Sequence, residues 1–281
     1  MVAETAIAKA KAHGISIFFG GNYNDAGSFA AYAYMAWEQD MVAITSNNTV
    51  PLTAPFGGME NVLPSPPFDA IIPSGAEAPL WASVKFAEFY DGDIAEAVLQ
   101  NKPMKGMWLI DPDTGELADD ATKHAKRREG YGRVWDYDWG GQIKHPRTYA
   151  LNLWNEGMTT VVSPPGIPCP ELPDFTEFTE QTETTSVGSS YHLCIDPAMF
   201  GSIEAVKQRS DALVRSIHGA KPRPGHSVRL PGEPGFERIR AGVTEVEVLE
   251  NHWEPFFATI AGRYGLTEGS LRSNFAAKPR G

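Results

Sequence analysis

The sequence predicts an α/β fold. Apolar, strand-like runs alternate with helix-like segments through the first fifty residues, and the alternation returns near residue 190. A third observation limits the class. No G-x-G-x-x-G fingerprint, Walker loop or G-x-S-x-G elbow occurs, so no Rossmann-type nucleotide motif announces itself.

Each element follows from local pattern. Residues 2–13 are rich in Ala, Lys and Glu and predict a helix, with Gly14 placed for a left-handed cap. "ISIFF" predicts a buried strand running into the loop "GGNYNDAGSFAAYA", Gly20 to Ala33. A helix over about 28–38 follows, with Ser28 as N-cap, and then a strand at "MVAITS". Pro and Gly are too frequent over 47–73 for a helix, and two short extended segments are expected there. A long helix is predicted over 82–100, then a strand in "GMWLIDPDTGEL" with a tight turn at Asp111 to Gly115.

Trp135, Tyr137 and Trp139 alternate with Asp136 and Asp138, the period of a strand with an aromatic face. Those rings would pack in a core or interface, or line an apolar pocket. A helix over 146–156 starts with Pro146 in its first turn. Residues 163–187 are Pro-rich and then Thr/Glu-rich, which predicts a surface excursion within a single domain spanning 1–281. A strand at "YHLCID", a helix over 202–218, a strand at "VTEVEV" and a helix over 250–264 complete the chain.

Composition narrows the partners. The 35 acidic residues outnumber the 24 basic ones, for a formal charge of −11, and no basic stripe appears. Nucleic acid and anionic membrane are excluded as partners on that ground. The two cysteines, Cys169 and Cys194, make no disulfide framework, and Cys194 reads as a buried strand residue. No apolar run approaches ~18 residues, and the N-terminus lacks the apolar core of a secretion signal. A soluble, cytoplasmic protein is expected. No His/Cys/Asp/Glu group shows ligand spacing, so no metal is expected.

Five phrases, in order, resemble one family. They are "AIAKAKAHGISIF", "SNNTVPLTAPFGG", "WLIDPDTGEL", "YHLCIDPAMFG" and "VRLPGEPG". The sequence resembles the type-2 malate/L-lactate dehydrogenases, which include sulfolactate and ureidoglycolate dehydrogenases and some cyclic-imine reductases. The likeness runs over nearly the whole chain. It implies a mixed sheet with flanking helices that is not a Rossmann fold, a homodimer, and NAD(P)-linked hydride transfer to a small 2-keto acid or imine. By resemblance, Asn48, Pro55, Gly57 and Gly58 border the cofactor, and the substrate pocket lies beside "NYNDAG" and "APFGG".

The sequence departs from the family where chemistry is expected. The family loop reads N-x-N-H-F-G with a His as acid/base, whereas here Asp25 stands at that place between Asn22, Asn24 and Gly27. The G-T-N-P, L-D-x-A-T-S and G-G-x-K-G-Y-G-L stretches are altered or half present. The family's N-terminal Ser-His-Gly segment would fall before residue 1.

Asp25 needs burial or a like charge to hold a proton near neutral pH, since a free carboxyl titrates near ~3.9. It could serve as acid or base, with Asn22 and Asn24 binding substrate, or it could belong to a simple Asx turn. Lys144, His145 and Arg147 follow a Gly-Gly pair. They could act on and hold a carboxylate, Arg147 as a bidentate fork, or form a solvated helix start. Lys85 could form a Schiff base if buried, or be an exposed helix lysine. His192 reads as structural. The expectations are therefore an oxidoreductase, a cofactor-independent lyase, isomerase or hydrolase using Asp25, or a non-catalytic partner subunit.

Overall fold

The computed structural model describes residues 1–23, 26–49, 51–111, 113–121, 126–127, 134–136, 141–143, 145–164, 166–171 and 188–243, and further on 253–254, 258, 261–267 and 269. The chain divides into two compact units, Met1–Pro234 and Gly235–Gly281. Both larger sheets belong to the first.

In chain order the elements are α1 (Val2–His13), β1 (Ile15–Tyr23), α2 (Ala30–Trp37), β2 (Val42–Asn47), β3 (Thr53–Ala54), β4 (Pro67–Ile72) and β5 (Leu80–Lys85). Then come α3 (Asp91–Gln100), β6 (Leu109–Ile110), β7 (Leu117–Ala118), β8 (Lys126–Arg127), β9 (Val134–Asp136), β10 (Gly141–Gln142) and α4 (Pro146–Glu156). A π-helical turn, Gly157–Val161, extends α4, and β11 (Gly188–Ile195) and α5 (Ile203–His218) follow.

The principal sheet has the order β1-β11-β2-β4-β5, every pair antiparallel. A smaller sheet, β3-β10-β6-β7, has one parallel pair, β3 with β10. This is the predicted mixed α/β architecture, and its antiparallel main sheet is unlike a Rossmann fold.

One face of the main sheet is covered by α1 and α2. Their alanines Ala6, Ala10, Ala33 and Ala36 let the helices approach closely, and with Ile7 they bury Met41, Ala43, Ile71 and Cys194. Each methylene so buried stabilises the fold by about 0.8 kcal/mol. Near the smaller sheet, Phe89, Ile94, Met104 and Leu109 form a second core with α3. On the other face of the main sheet, the α4 residue Trp154 meets Tyr191 edge-on, 6.0 Å between centroids.

Several elements differ from expectation. The predicted helix over 82–100 is two elements. Leu80–Lys85 pairs with β4 residue for residue, and the helix begins only at Asp91. Tyr90 is its N-cap, and the Asp93 carboxylate accepts the Tyr90 N–H at 2.7 Å. That reciprocal cap marks the start more strongly than the helix-forming residues before it.

β1 is an edge strand with Ile15 and Ile17 exposed, not a buried one. Phe29, not Ser28, caps α2, and no side chain bonds there. The Asp111 turn forms as predicted. Asp111 Oδ1 accepts the N–H groups of Asp113 and Thr114, and Gly115 has φ 74. Of the aromatic run, Trp135 lies in β9, while Tyr137 and Trp139 lie outside the described residues, as do residues 244–248 of "VTEVEV" and most of the 250–264 helix. Among the described residues no helix is long and apolar enough to cross a membrane.

Candidate functional site

A cleft of about 630 Å³ opens where the residues before α2, the ends of β4 and β5, and the first turn of α4 converge. Gly27, Ser28 and Phe29 line it from the loop predicted to hold the substrate. Asp69 and Ser83 come from β4 and β5, Lys85 ends β5, and Thr148 comes from α4. Phe86 and Tyr90 add apolar surface. The volume lies within the range of small-molecule sites, about 300–1,000 Å³.

Sheet register explains the polar wall. His192, Thr45, Asp69 and Ser83 are successive cross-strand neighbours on β11, β2, β4 and β5, so their side chains share the face toward α2. Thr45 Oγ1 lies 2.8 Å from His192 Nδ1. The His192 ring stacks on Phe29 at 5.9 Å and meets Tyr32 edge-on at 5.5 Å. Burial pulls its pKa down to about 4, so the imidazole is neutral and structural, as predicted.

Asp69 is 1 % exposed. Its Oδ1 accepts the Trp81 indole N–H at 3.1 Å, and Ser83 stands directly opposite it across β4 and β5. Burial raises its pKa above the ordinary value, against the opposing pull of the Ser83 and Trp81 dipoles. Sequence reading does not single out Asp69, though a signal exists: an ionisable residue interrupts the apolar run "PFDAII".

Lys85 corrects the helix reading. It ends a strand, its Nζ lies 3.0 Å from Asp93 Oδ2, and it stands 3.9 Å over the Tyr90 ring. Burial alone would raise the Asp93 pKa, but the Tyr90 N–H and the Lys85 ammonium hold it below the ordinary value. A paired ammonium is a poor Schiff-base amine.

The other predicted residues fall as follows. Asp25, Asn24 and Lys144 lie outside the described residues. Asn22 is exposed at the bulge where β1 slips against β11, with φ 60, a left-handed backbone that Asn tolerates. His145 is the exposed N-cap of α4, its Nδ1 accepting the Arg147 N–H at 3.1 Å. Arg147 is exposed one residue before the cleft-lining Thr148.

Asn48 is buried and holds two segments together. Its Oδ1 accepts the Ser189 N–H at 2.8 Å, and its Nδ2 donates to Ile167 O at 3.4 Å. Pro55, Gly57 and Gly58 form a turn in which Gly58 N–H donates to Pro55 O at 2.8 Å and Gly57 has φ 85. None of these four residues lines the cleft.

A mostly antiparallel sheet, helices on both faces and an acid-lined cleft at the strand ends define a mixed α/β scaffold of enzyme type. The chain belongs to the malate/L-lactate dehydrogenase family, whose model matches residues 1–255. It is 29% identical over 230 residues to L-sulfolactate dehydrogenase of Methanocaldococcus jannaschii, covering 82% of this chain and 61% of the relative. Malate/(S)-sulfolactate dehydrogenase of Methanothermus fervidus is 27% identical over 247 residues, covering 88% of this chain and 66% of that one. The chain thus spans less than two thirds of the length of these relatives. The solved sulfolactate dehydrogenase of M. jannaschii superposes with a TM-score of 0.76 at 24% identity, over 95% of this chain and 72% of that structure. That likeness establishes the fold.

Proposed function

We propose that the protein is an NAD(P)-dependent oxidoreductase acting on a small 2-keto or 2-hydroxy acid or a cyclic imine in the cleft beside Gly27–Phe29. The observation that carries this is the family match over residues 1–255, together with a cleft built from the family-like loop.

The lining suits part of the cofactor. Phe29, Phe86 and Tyr90 offer flat apolar surface, and Ser28, Ser83 and Thr148 offer hydroxyls, a fit for a nicotinamide ring with its carboxamide beside a small substrate. The diphosphate does not belong there. The lining cation is Lys85, already paired with Asp93, and Asp69 and Glu88 share the lining with it. The exposed Pro55–Gly58 turn, where Gly57 at φ 85 leaves open space for a close approach, would border that end. When bound, a reduced nicotinamide supplies the hydride. Arg147, beside the cleft-lining Thr148, would hold the substrate carboxylate.

NADH and NADPH titrations followed by nicotinamide fluorescence test the reading. Saturable binding well below about 1 mM, an affinity better than ~4 kcal/mol, supports it. No binding up to that concentration overturns it. The carboxylates in the lining favour the second reading in that event, acid/base chemistry without a cofactor on the same scaffold. A second copy of the chain is the proposed partner.

A further inference from the structure

We infer that Ser83 and Asp69 form the proton-handling pair of the cleft: the Ser83 hydroxyl donates to a substrate carbonyl oxygen or imine nitrogen, and Asp69 resupplies it. The inference deepens the oxidoreductase reading and rests on it.

The two residues face each other across β4 and β5, and both line the cleft. Ser83 is exposed to the cleft while Asp69 is buried behind it. Trp81, which bonds the Asp69 carboxyl, and Ser83, which stands opposite it, are both neutral. Burial with no cation bonded to it biases a carboxyl toward its protonated form, and burial raises the Asp69 pKa above its ordinary value.

Oδ1 accepts from Trp81, and in the proposed state the protonated Asp69 carboxyl turns its hydrogen toward Ser83 Oγ across the strand pair. The hydrogen of Ser83 is then free to be donated into the cleft. In the step itself, the Ser83 O–H bond breaks as an O–H or N–H bond forms on the substrate. The Asp69 proton moves to Ser83 Oγ, and Asp69 ends as a carboxylate. Only the proton half of the reduction is assigned to these side chains. The hydride half needs a reduced nicotinamide as reductant. Ser83 touches the substrate, and Asp69 acts through it as a positioning residue.

The surrounding groups leave Asp69 free to hold that proton. From β2 it faces Thr45, which is tied to the neutral His192. α2 carries no charged residue, only Tyr32 and Tyr34 among its titratable groups. On the β5 side Lys85 is held by Asp93, and Glu88 is exposed at the rim.

Carboxyl carbon-13 NMR of the whole chain, with the Asp69 signal assigned by Asp69→Asn, reads the pair directly, using pyruvate as probe. The expected result is an Asp69 pKa above the ordinary carboxylate range and a signal that moves when pyruvate is added. In Ser83→Ala the response to pyruvate is lost, and Ser83→Thr restores it.

An ordinary pKa, or a signal indifferent to pyruvate, overturns the inference even if NADH binds. In NADH-supported turnover, kcat/KM for reduction should fall as pH rises through the Asp69 pKa. Asp69→Asn and Ser83→Ala should each lower kcat by about 10²-fold or more with KM little changed, Ser83→Thr recovering most of it. Variants that keep the wild-type rate and pH profile overturn the inference and leave the oxidoreductase reading standing. Failure of NADH and NADPH to bind overturns that reading, and with it the assigned role.

Discussion

A side chain on Gly141 would overlap the Phe89 ring and the Trp108 carbonyl, because β10 passes directly against that small core. The Gly-Gly pair before Lys144 thus has a packing reason at its second member, where sequence alone suggests a ligand-binding turn. Gly141→Ala should cost about 1–3 kcal/mol, or more if β10 cannot shift, since overpacking forces rigid neighbours apart. Gly57 makes the contrast. It has open space around it but φ 85, so Gly57→Ala should cost only about 1 kcal/mol of backbone strain. Urea titration of both variants checks the order, and equal losses would contradict the packing account. Ordinary local reading finds the need for glycine in either case. It cannot tell the two apart, because Phe89 and Trp108 are distant in the chain.

At the scale of elements, α5 is joined to the loop before β5 by one carboxylate. Asp211 accepts N–H groups from Gly75, Ala76 and Glu77 at 2.8, 2.9 and 3.2 Å. Burial works against its charge, but those three donors outweigh it and hold the pKa below the ordinary value. A lowered folded-state pKa adds stability that is present at neutral pH and lost as pH falls through it. Asp211→Asn should therefore cost about 1–3 kcal/mol at neutral pH, with the difference from wild type shrinking as pH falls below the ordinary aspartate range. Denaturant midpoints at several pH values measure this, and a deficit that does not shrink in acid contradicts it.

Such a link also shows which elements were legible. α1, β2, α4 and α5 carry their own signals: an alanine-rich repeat closed by Gly14, an apolar run, Pro146 in the first turn, and Ser202 accepting the Ala205 N–H. β5 does not. "LWASVK" is a strand because β4 pairs with it, and no local preference for helix survives that pairing. The candidate site was half legible for the same reason. The loop around Gly27 is a local motif, whereas Asp69 and Ser83 meet only through sheet register.

For the whole molecule, α4 and its π-helical extension are inside out. Asn152 and Asn155 are 0 % exposed, while Leu151, Leu153 and Trp154 are 57, 44 and 51 % exposed and Val161 reaches 78 %. Both buried amides donate to backbone carbonyls, although Asn152 Oδ1 has no hydrogen-bond partner. Asn152 donates to Pro64 O at 2.8 Å, Asn155 to Asn47 O at 3.3 Å, and the Tyr191 hydroxyl donates to Asn155 Oδ1 at 3.2 Å. Glu156 Oε1 accepts the Cys169 N–H at 2.7 Å. The polar side therefore ties the helix to its own chain, and the apolar side is left facing outward. A contiguous apolar stripe on one helix is the kind of surface that association covers. A homodimer through this face needs about 800 Å² from each partner, more than the stripe alone, so neighbouring surface must join it. Sedimentation equilibrium should then give a dimer for the wild type and a monomer for the double change Leu153→Asp and Val161→Asp, with both secondary structure and the urea midpoint of the monomer preserved. A double variant that stays dimeric would place the interface elsewhere, and the outward leucines and valines would need another cover.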